Sequence, residues 1–290
     1  MDRFKPFYIS SYVGVVFITS FAIIYHFFTA TVNLAWLGAG LAVWPVALMF
    51  MRFGSFRVVR TSKNLNSLMA VIAAASALAI VGARLDVTAQ GNWIPVTYAL
   101  VVGLAGFLVY VYWYSRFDRS NNQVIEIGRS LPAFSLMDYE GNEYHDKDFK
   151  GKTTLFMFYR GNWCPLCVAQ VKELVAEYKE LIALGVDVVL VSPQSQRNTR
   201  QLAKKFDVAF KFMVDEDNKV AEILDILNTS GTPAGLGLLG YESDTVLPTV
   251  FIIDQQGKIV YADLTDNYRV RPETEDFLKV LRGLAETEAA

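Results

Sequence analysis

"TTLFMFYRGNWCPLCVAQVKELVAEYKELIAL", residues 153–184, decides the fold of the second half of this chain. It opens on a continuous apolar run of strand length, 153–159. Further on, apolar residues fall at 168, 171, 174, 175, 178, 181 and 182, the spacing of a helix that buries one face. Both cysteines of the chain, Cys164 and Cys167, stand at this junction. The pattern puts Cys164 at the strand-to-helix turn, Pro165 in the first helical position and Cys167 one turn on. A helix N-terminus carries partial positive charge and unpaired N–H groups, which favour a thiolate. A CxxC pair in that position can close a local disulfide and reopen it by exchange. Trp163, just before the pair, offers an apolar surface for docking partners.

Two blander readings of the pair carry less weight. A structural zinc site needs four ligands. There is no second CxxC, and the other candidates are His145, His26 and carboxylates. As buried small residues, the two would have no reason to fall together at a strand–helix junction. No metal and no cofactor is expected.

Downstream the pattern alternates. "VDVVLVS" (186–192) reads as a strand, "NTRQLAKKFD" as a helix, "FKFMVD" as a short strand and "NKVAEILDIL" as a helix. "TVFIID" (249–254) and "KIVYAD" (258–263) flank the turn "QQGK" as a hairpin, and "RPETEDFLKVLRGLAE" closes with a helix. This order predicts an α/β domain with a central sheet covered on both faces. "GLGLLG", Gly235–Gly240, matches the dinucleotide fingerprint in letters only, since loop-like segments flank it on both sides.

The first half of the chain is different. Residues 1–115 hold seven Lys/Arg and two Asp/Glu, whereas residues 116–290 hold twenty and twenty-seven. Neither half has the basic patch of a nucleic-acid binder. From Pro6 to Met51 there is no charged residue, and Asn64–Ala83 and Val87–Ser115 are two further charge-free runs. A spanning helix needs about 20 apolar residues. Four helices are expected near 8–29, 33–51, 65–84 and 93–114, with the turn of the first pair at Thr29–Asn33. The first apolar run is too long for a signal peptide and is followed at once by another. Trp93 and Trp113 fall near helix ends, as interfacial aromatics do.

Basic residues orient these helices. Arg3 and Lys5 precede the first, Arg52, Arg57, Arg60 and Lys63 separate the second and third, and Arg116 and Arg119 follow the fourth. Of the alternate loops, one has no basic residue and the other only Arg84, with Asp86 nearby. With four spans, all three basic segments share one side, which the positive-inside rule makes cytoplasmic. The expected organisation is a four-helix transmembrane anchor at 1–119 and a redox domain at 120–290 on the cytoplasmic side of a bacterial plasma membrane. The anchor contains no cysteine, so it cannot relay thiols, and its lone His26 reads as structural.

Residues from about 125 to 283 resemble the thioredoxin-fold superfamily, and within it the peroxiredoxin-like redoxins of the alkyl hydroperoxide reductase/thiol-specific antioxidant group. "LPAFSLMDYEGNEYHDKDFKGKTTLFMFYRGNWCPLC" resembles that family's opening and "LPTVFIIDQQGKIVY" its later hairpin. The resemblance implies a thioredoxin-like α/β fold. It also implies a cis Pro248, followed by Thr249, packed beside the cysteines.

The departures from the family pattern leave two activities open. Aligned on the peroxiredoxin motif, Cys167 falls on the peroxidatic cysteine, Cys164 on a threonine and Arg160 on a proline. Pro248 falls about where the family carries an arginine. Polarising a peroxide needs donors around both oxygens, so these replacements argue against fast peroxidase chemistry. WCxxC with a proline beside it is the thioredoxin pattern, although Phe158 stands where a thioredoxin carries a buried aspartate. Proton transfer would then fall to Tyr159 or water.

The sequence thus ranks thiol–disulfide exchange first, with Cys164 as nucleophile. Thiol-dependent peroxide reduction comes second, with Cys167 attacking and Cys164 resolving. Copper(I) delivery lacks the later histidine it would need, and a redox-sensing docking module is a fourth reading. The partners implied are the bilayer, a thiol/disulfide protein or small thiol as electron donor, and peroxides.

Overall fold

The computed structural model describes residues 2–85, 93–117, 119 and 122–289. Asp86, read above as a loop charge, lies outside them, as does Ser120, the first residue of the expected redox domain. The chain divides into two compact units. One comprises Phe4–Ser55 and Thr61–Arg116; the other takes in Phe56–Arg60 and the chain from Phe117 onward.

The first unit is helical: α1 Lys5–Thr29, α2 Leu34–Gly54, α3 Asn66–Leu85 and α4 Ile94–Tyr114. Each helix is long and apolar enough to cross a membrane. The polar break read at Thr29–Asn33 is the turn between α1 and α2, where Asn33 Oδ1 accepts the Trp36 N–H at 3.1 Å as an N-cap. Helices α2 and α3 meet backbone to backbone. A Cβ on Gly38 would lie 2.4 Å from Ala79 N, and one on Gly82 2.3 Å from Ala35 N. Small residues permit this approach, which lipid-embedded helices use to gain dispersion contacts.

Helix α4 winds with π-type hydrogen bonding over Tyr98–Ala105 and Tyr110–Tyr114. Its carbonyls find partners on α1: Tyr12 Oη donates to Val102 O at 3.1 Å and Tyr8 Oη to Gly106 O at 2.6 Å. Such side chains re-satisfy backbone groups that irregular winding frees where water is absent. His26 stacks on Trp36 with ring centroids 3.7 Å apart.

The second unit is built on a seven-stranded sheet. Its strands are β1 Ser135–Asp138, β2 Glu143–His145, β3 Thr154–Phe158, β4 Asp187–Ser192, β5 Lys211–Val214, β8 Thr249–Ile253 and β9 Ile259–Asp263, in the order β2-β1-β5-β4-β3-β8-β9. Strands β6 Leu227–Asn228 and β7 Thr245–Val246 form a separate antiparallel pair. The helices are α5 Pro165–Ala176, α6 Tyr178–Ala183, α7 Gln196–Phe206, α8 Lys219–Ile223 and α9 Thr274–Ala289. Strands β3, β4 and β5 run parallel, while β8 and β9 return antiparallel as the expected hairpin. This is a thioredoxin-like α/β domain.

The single helix expected over 164–184 is broken at Glu177 (φ −91°, ψ 11°) into α5 and α6. The short hairpin β1–β2 and the pair β6–β7 escape the periodicity reading, because two to four residues are too few to show alternation.

Strand β3 divides the core. Leu155, Met157 and Tyr159 pack on one face with Cys164, Cys167, Val171 and Leu174. Phe156 and Phe158 pack on the other with Phe134, Phe149 and Phe251. Strand alternation therefore aims the cysteine helix at one sheet face.

Candidate active site

Cys164 is the N-cap of α5 (φ −89°, ψ 106°) and Pro165 begins the helix. Its main chain is tied at both ends: Cys164 N donates to Gly161 O and Val168 N to Cys164 O, each at 3.1 Å. Gly161 has φ +144°, and a Cβ there would lie 2.9 Å from Trp163 Nε1. The turn before the pair therefore requires glycine. Both cysteines are free thiols and buried, with Cys164 2% and Cys167 0% exposed. Trp163 is half-buried and packs against the same core.

The two sulfurs are electrostatically unequal. Arg271 Nη2 donates to Cys167 Sγ at 3.6 Å. Burial works to push the Cys167 thiol up, but it is outweighed. The Cys164 S–H, the Arg271 charge, the Arg160 main-chain N–H and the Arg160 charge together bring Cys167 down to about 6. Cys164 moves well above its ordinary value, through burial, then through donating its S–H to Cys167 and facing the charge there. The shared S–H and the facing charges thus act in opposite directions on the two sulfurs and favour negative charge on Cys167.

Arg160 is buried beneath Trp163, its guanidinium 4.5 Å from the ring centroid. It donates to Gly231 O, while its own carbonyl accepts from Thr245 Oγ1 at 3.1 Å. Tyr159 leaves β3 on the cysteine side, and burial raises its phenol, so it acts as a neutral hydroxyl. Gln194 Nε2 donates to Tyr159 Oη at 3.1 Å and to Asn162 Oδ1 at 3.0 Å, and Gln194 Oε1 accepts from Asn162 N at 2.9 Å. One buried amide therefore fixes both ends of the turn before Cys164.

Pro248 and Thr249 do not bond to either sulfur. Thr249 is the register partner of Phe158, and its Oγ1 donates to Leu247 O at 2.8 Å. Arg119 Nη2 donates to Pro248 O at 2.9 Å and to Thr249 Oγ1 at 3.1 Å. The cis bond implied for Pro248 is not found, since no peptide bond among the described residues is cis. The trans form is the favoured isomer by roughly 0.5–1 kcal/mol. Gly235–Gly240 forms an irregular turn around Leu236–Leu239, with no helix following it, so the dinucleotide reading fails on geometry. Among the described residues, no group of three or more His, Cys, Asp or Glu side chains is gathered as a metal site.

Three residues of this site escaped the sequence reading. Arg271 arrives from the irregular segment between β9 and α9, so no motif position points to it. Its only sequence signal is "YRVRP", two arginines beside apolar residues in an acidic half. Arg119, counted there only toward membrane orientation, lies against Pro248, and burial draws its guanidinium down to about 10. Gln194 has no signal beyond following a strand. Cationic donors absent from the motif thus reach the site from elsewhere in the chain.

The family model of the AhpC/TSA family matches residues 127–262. Peroxiredoxin Bcp of Escherichia coli (strain K12) is 30% identical over 135 residues, covering 47% of this chain and 83% of that protein. The chain belongs to the AhpC/TSA family. It is also similar to thiol-disulfide oxidoreductase ResA of Bacillus cereus (strain ATCC 10987 / NRS 248). That match is 26% identical over 184 residues, covering 62% of this chain and 90% of the relative. Among solved structures, peroxidoxin BcpB of Mycobacterium tuberculosis aligns with a TM-score of 0.46 at 19% identity, covering 55% of this chain and 98% of that one.

Proposed function

We propose that this chain is a membrane-anchored, thiol-dependent peroxidase of the AhpC/TSA family in which Cys167 attacks and Cys164 resolves. The observation that carries this reading is the asymmetry of the pair. Arg271 is near enough for its charge to act on both sulfurs, but its hydrogen bond goes to Cys167, and the lowered thiol is the inner one. Both sulfurs are also buried, so a small peroxide reaches them more readily than a folded protein disulfide does.

In the reaction, the Cys167 thiolate attacks one peroxide oxygen. The O–O bond breaks, an S–O bond forms, and the leaving oxygen takes a proton as alcohol or water. Arg271 and the Arg160 main-chain N–H, which already face Cys167 Sγ, supply donors where charge develops. Cys164 then attacks the Cys167 sulfenic sulfur, forming the S–S bond and releasing water. Two equivalents of an external thiol, or one dithiol protein, return the pair to its reduced form by exchange. No third cysteine exists in the chain to resolve the sulfenic acid otherwise.

Dithiol exchange with a protein disulfide is the second reading. Cys164 at the N-cap of α5 beside Trp163 favours it, and it assigns Cys164 the first attack. Single-cysteine variants of the full-length protein separate the two. With added thiol, peroxide consumption persists in Cys164→Ser and vanishes in Cys167→Ser if Cys167 attacks. A partner protein trapped on Cys164 in Cys167→Ser, with no peroxide consumption by Cys164→Ser, would establish exchange instead.

The four apolar helices support anchoring, and the shared side of Arg3–Lys5, Arg52–Lys63 and Arg116–Arg119 supports a cytoplasmic domain at the plasma membrane. There thiols are kept reduced, which suits regeneration of the pair. In intact cells, a membrane-impermeant thiol reagent added after reduction should leave the pair unlabelled; labelling would place the domain outside.

A further inference from the structure

Phe56–Arg60 lies in sequence between α2 and α3, yet belongs to the compact unit that carries the cysteines. Arg60 forks Glu173, Nη1 donating to Oε1 at 3.1 Å and Nη2 to Oε2. The same Nη2 donates to Pro272 O at 3.0 Å. Glu173 is on α5, the helix of Cys167, and Pro272 directly follows Arg271. One guanidinium therefore joins the element carrying Cys167 to the main chain carrying Arg271.

The segment is seated on α5 at a second point. Lys172 Nζ donates to Phe56 O at 3.2 Å and lies 5.9 Å from the Phe56 ring centroid, and Phe56 packs against the cysteine-side core.

Arg271 needs such a restraint. Among the described residues its side chain has one hydrogen-bond partner, Cys167 Sγ, and its Nε is buried without any. Its main chain lies outside helix and strand, and Pro272 has no N–H to give, so the Pro272 carbonyl is the polar handle that residue offers. A bidentate Arg–carboxylate pair adds geometric specificity to its charge. At 26% and 29% side-chain exposure, this pair adds little to stability.

We propose that Arg60 is a positioning residue of the redox centre: by bridging Glu173 and the Pro272 carbonyl, it sets the approach of Arg271 to Cys167. Arg60 bonds to neither sulfur and acts through Arg271. The inference rests on Cys167 being the reactive thiolate. The titratable and charged groups facing Cys167 among the described residues are Cys164, Tyr159, Arg160 and Arg271, and Arg60 is not one of them.

The test uses full-length Cys164→Ser protein in detergent, where Cys167 is the single thiol and the serine introduced beside it keeps a hydroxyl donor. The rate of Cys167 alkylation by iodoacetamide is followed against pH. Arg60→Gln is expected to move the midpoint upward, slowing alkylation at pH 6 about tenfold, with thermal unfolding unchanged. Glu173→Gln should move it the same way, and it decides the matter if Arg60→Gln does not fold. In an Arg271→Gln background, Arg60→Gln should add nothing, because its effect runs through Arg271. An unmoved midpoint in folded Arg60→Gln overturns the proposal, as does an undiminished Arg60 effect without Arg271. A parent protein titrating as an ordinary thiol near pH 8.5 would instead sink the thiolate reading itself.

Discussion

Arg271 Nη2 stands 3.6 Å from Cys167 Sγ, a charged donor on the inner cysteine of a CxxC pair. Its removal should expose what it does. Arg271→Met keeps much of the apolar bulk and loses the charge. We expect the Cys167 thiol to rise by about 1–2 pH units, and second-order peroxide consumption to fall roughly 100-fold, the scale of losing one donor in an oxyanion-type site. Arg271→Lys should recover only part, since an ammonium cannot reproduce the planar fork. Stopped-flow peroxide consumption with a pH-resolved alkylation series measures both.

The pH profile follows from the same asymmetry. Cys167 is drawn down to about 6, so its reactive form is lost as pH falls through that value and is complete above it. Peroxide consumption should rise through about pH 6 and stay level to pH 8. An unassisted thiol, at about 8.5, would still be rising there. A profile that climbs only above pH 8 would count against the thiolate.

Gln194 joins Tyr159 to Asn162 across the turn before the pair. Gln194→Ala leaves buried polar groups unsatisfied, at a cost of about 1–3 kcal/mol. It should lower the melting temperature and slow Cys167 alkylation together, because the turn that seats Arg160 loosens. Differential scanning fluorimetry paired with alkylation kinetics checks this, and a variant with unchanged kinetics would restrict Gln194 to a structural role.

Gly82 meets α2 so closely that a Cβ would lie 2.3 Å from Ala35 N. Gly82→Val must push α2 and α3 apart, costing about 1–3 kcal/mol from overpacking. Thermal unfolding in detergent should drop, while Cys167 alkylation in the folded variant stays at the parent rate. Preserved thermal stability would show that the helices do not depend on this approach.

Much of this molecule was legible in its residues, for physical reasons that differ by element. Charge-free runs long enough for spans of about 20 residues announce α1 to α4, because a bilayer tolerates little else. Buried strands announce themselves as apolar runs, and β3, β4, β8 and β9 lie within a residue or two of the expected bounds. The junction bearing Cys164, Pro165 and Cys167 was visible because both cysteines fall in one short motif.

What brings Arg271, Arg119 and Gln194 to that junction is tertiary. They come from the segment after β9, the linker after α4 and the loop after β4, and no local spacing encodes such meetings. This is why the motif reading found the peroxide-positioning residues replaced, while the structure places an arginine on Cys167 by another route. The implied cis Pro248 came from the family pattern, and here its carbonyl serves as an acceptor for Arg119 in a trans chain.

In the proposed reaction Cys167 attacks first. The most direct measurement is the intact mass of full-length wild type, Cys164→Ser and Cys167→Ser after one equivalent of hydrogen peroxide, with dimedone present. We predict that wild type loses two hydrogens as the disulfide closes. Cys164→Ser should carry a dimedone adduct mapped to Cys167, and Cys167→Ser should remain unmodified. A dimedone adduct on Cys164 in Cys167→Ser, with Cys164→Ser left untouched, would make Cys164 the attacking thiol instead.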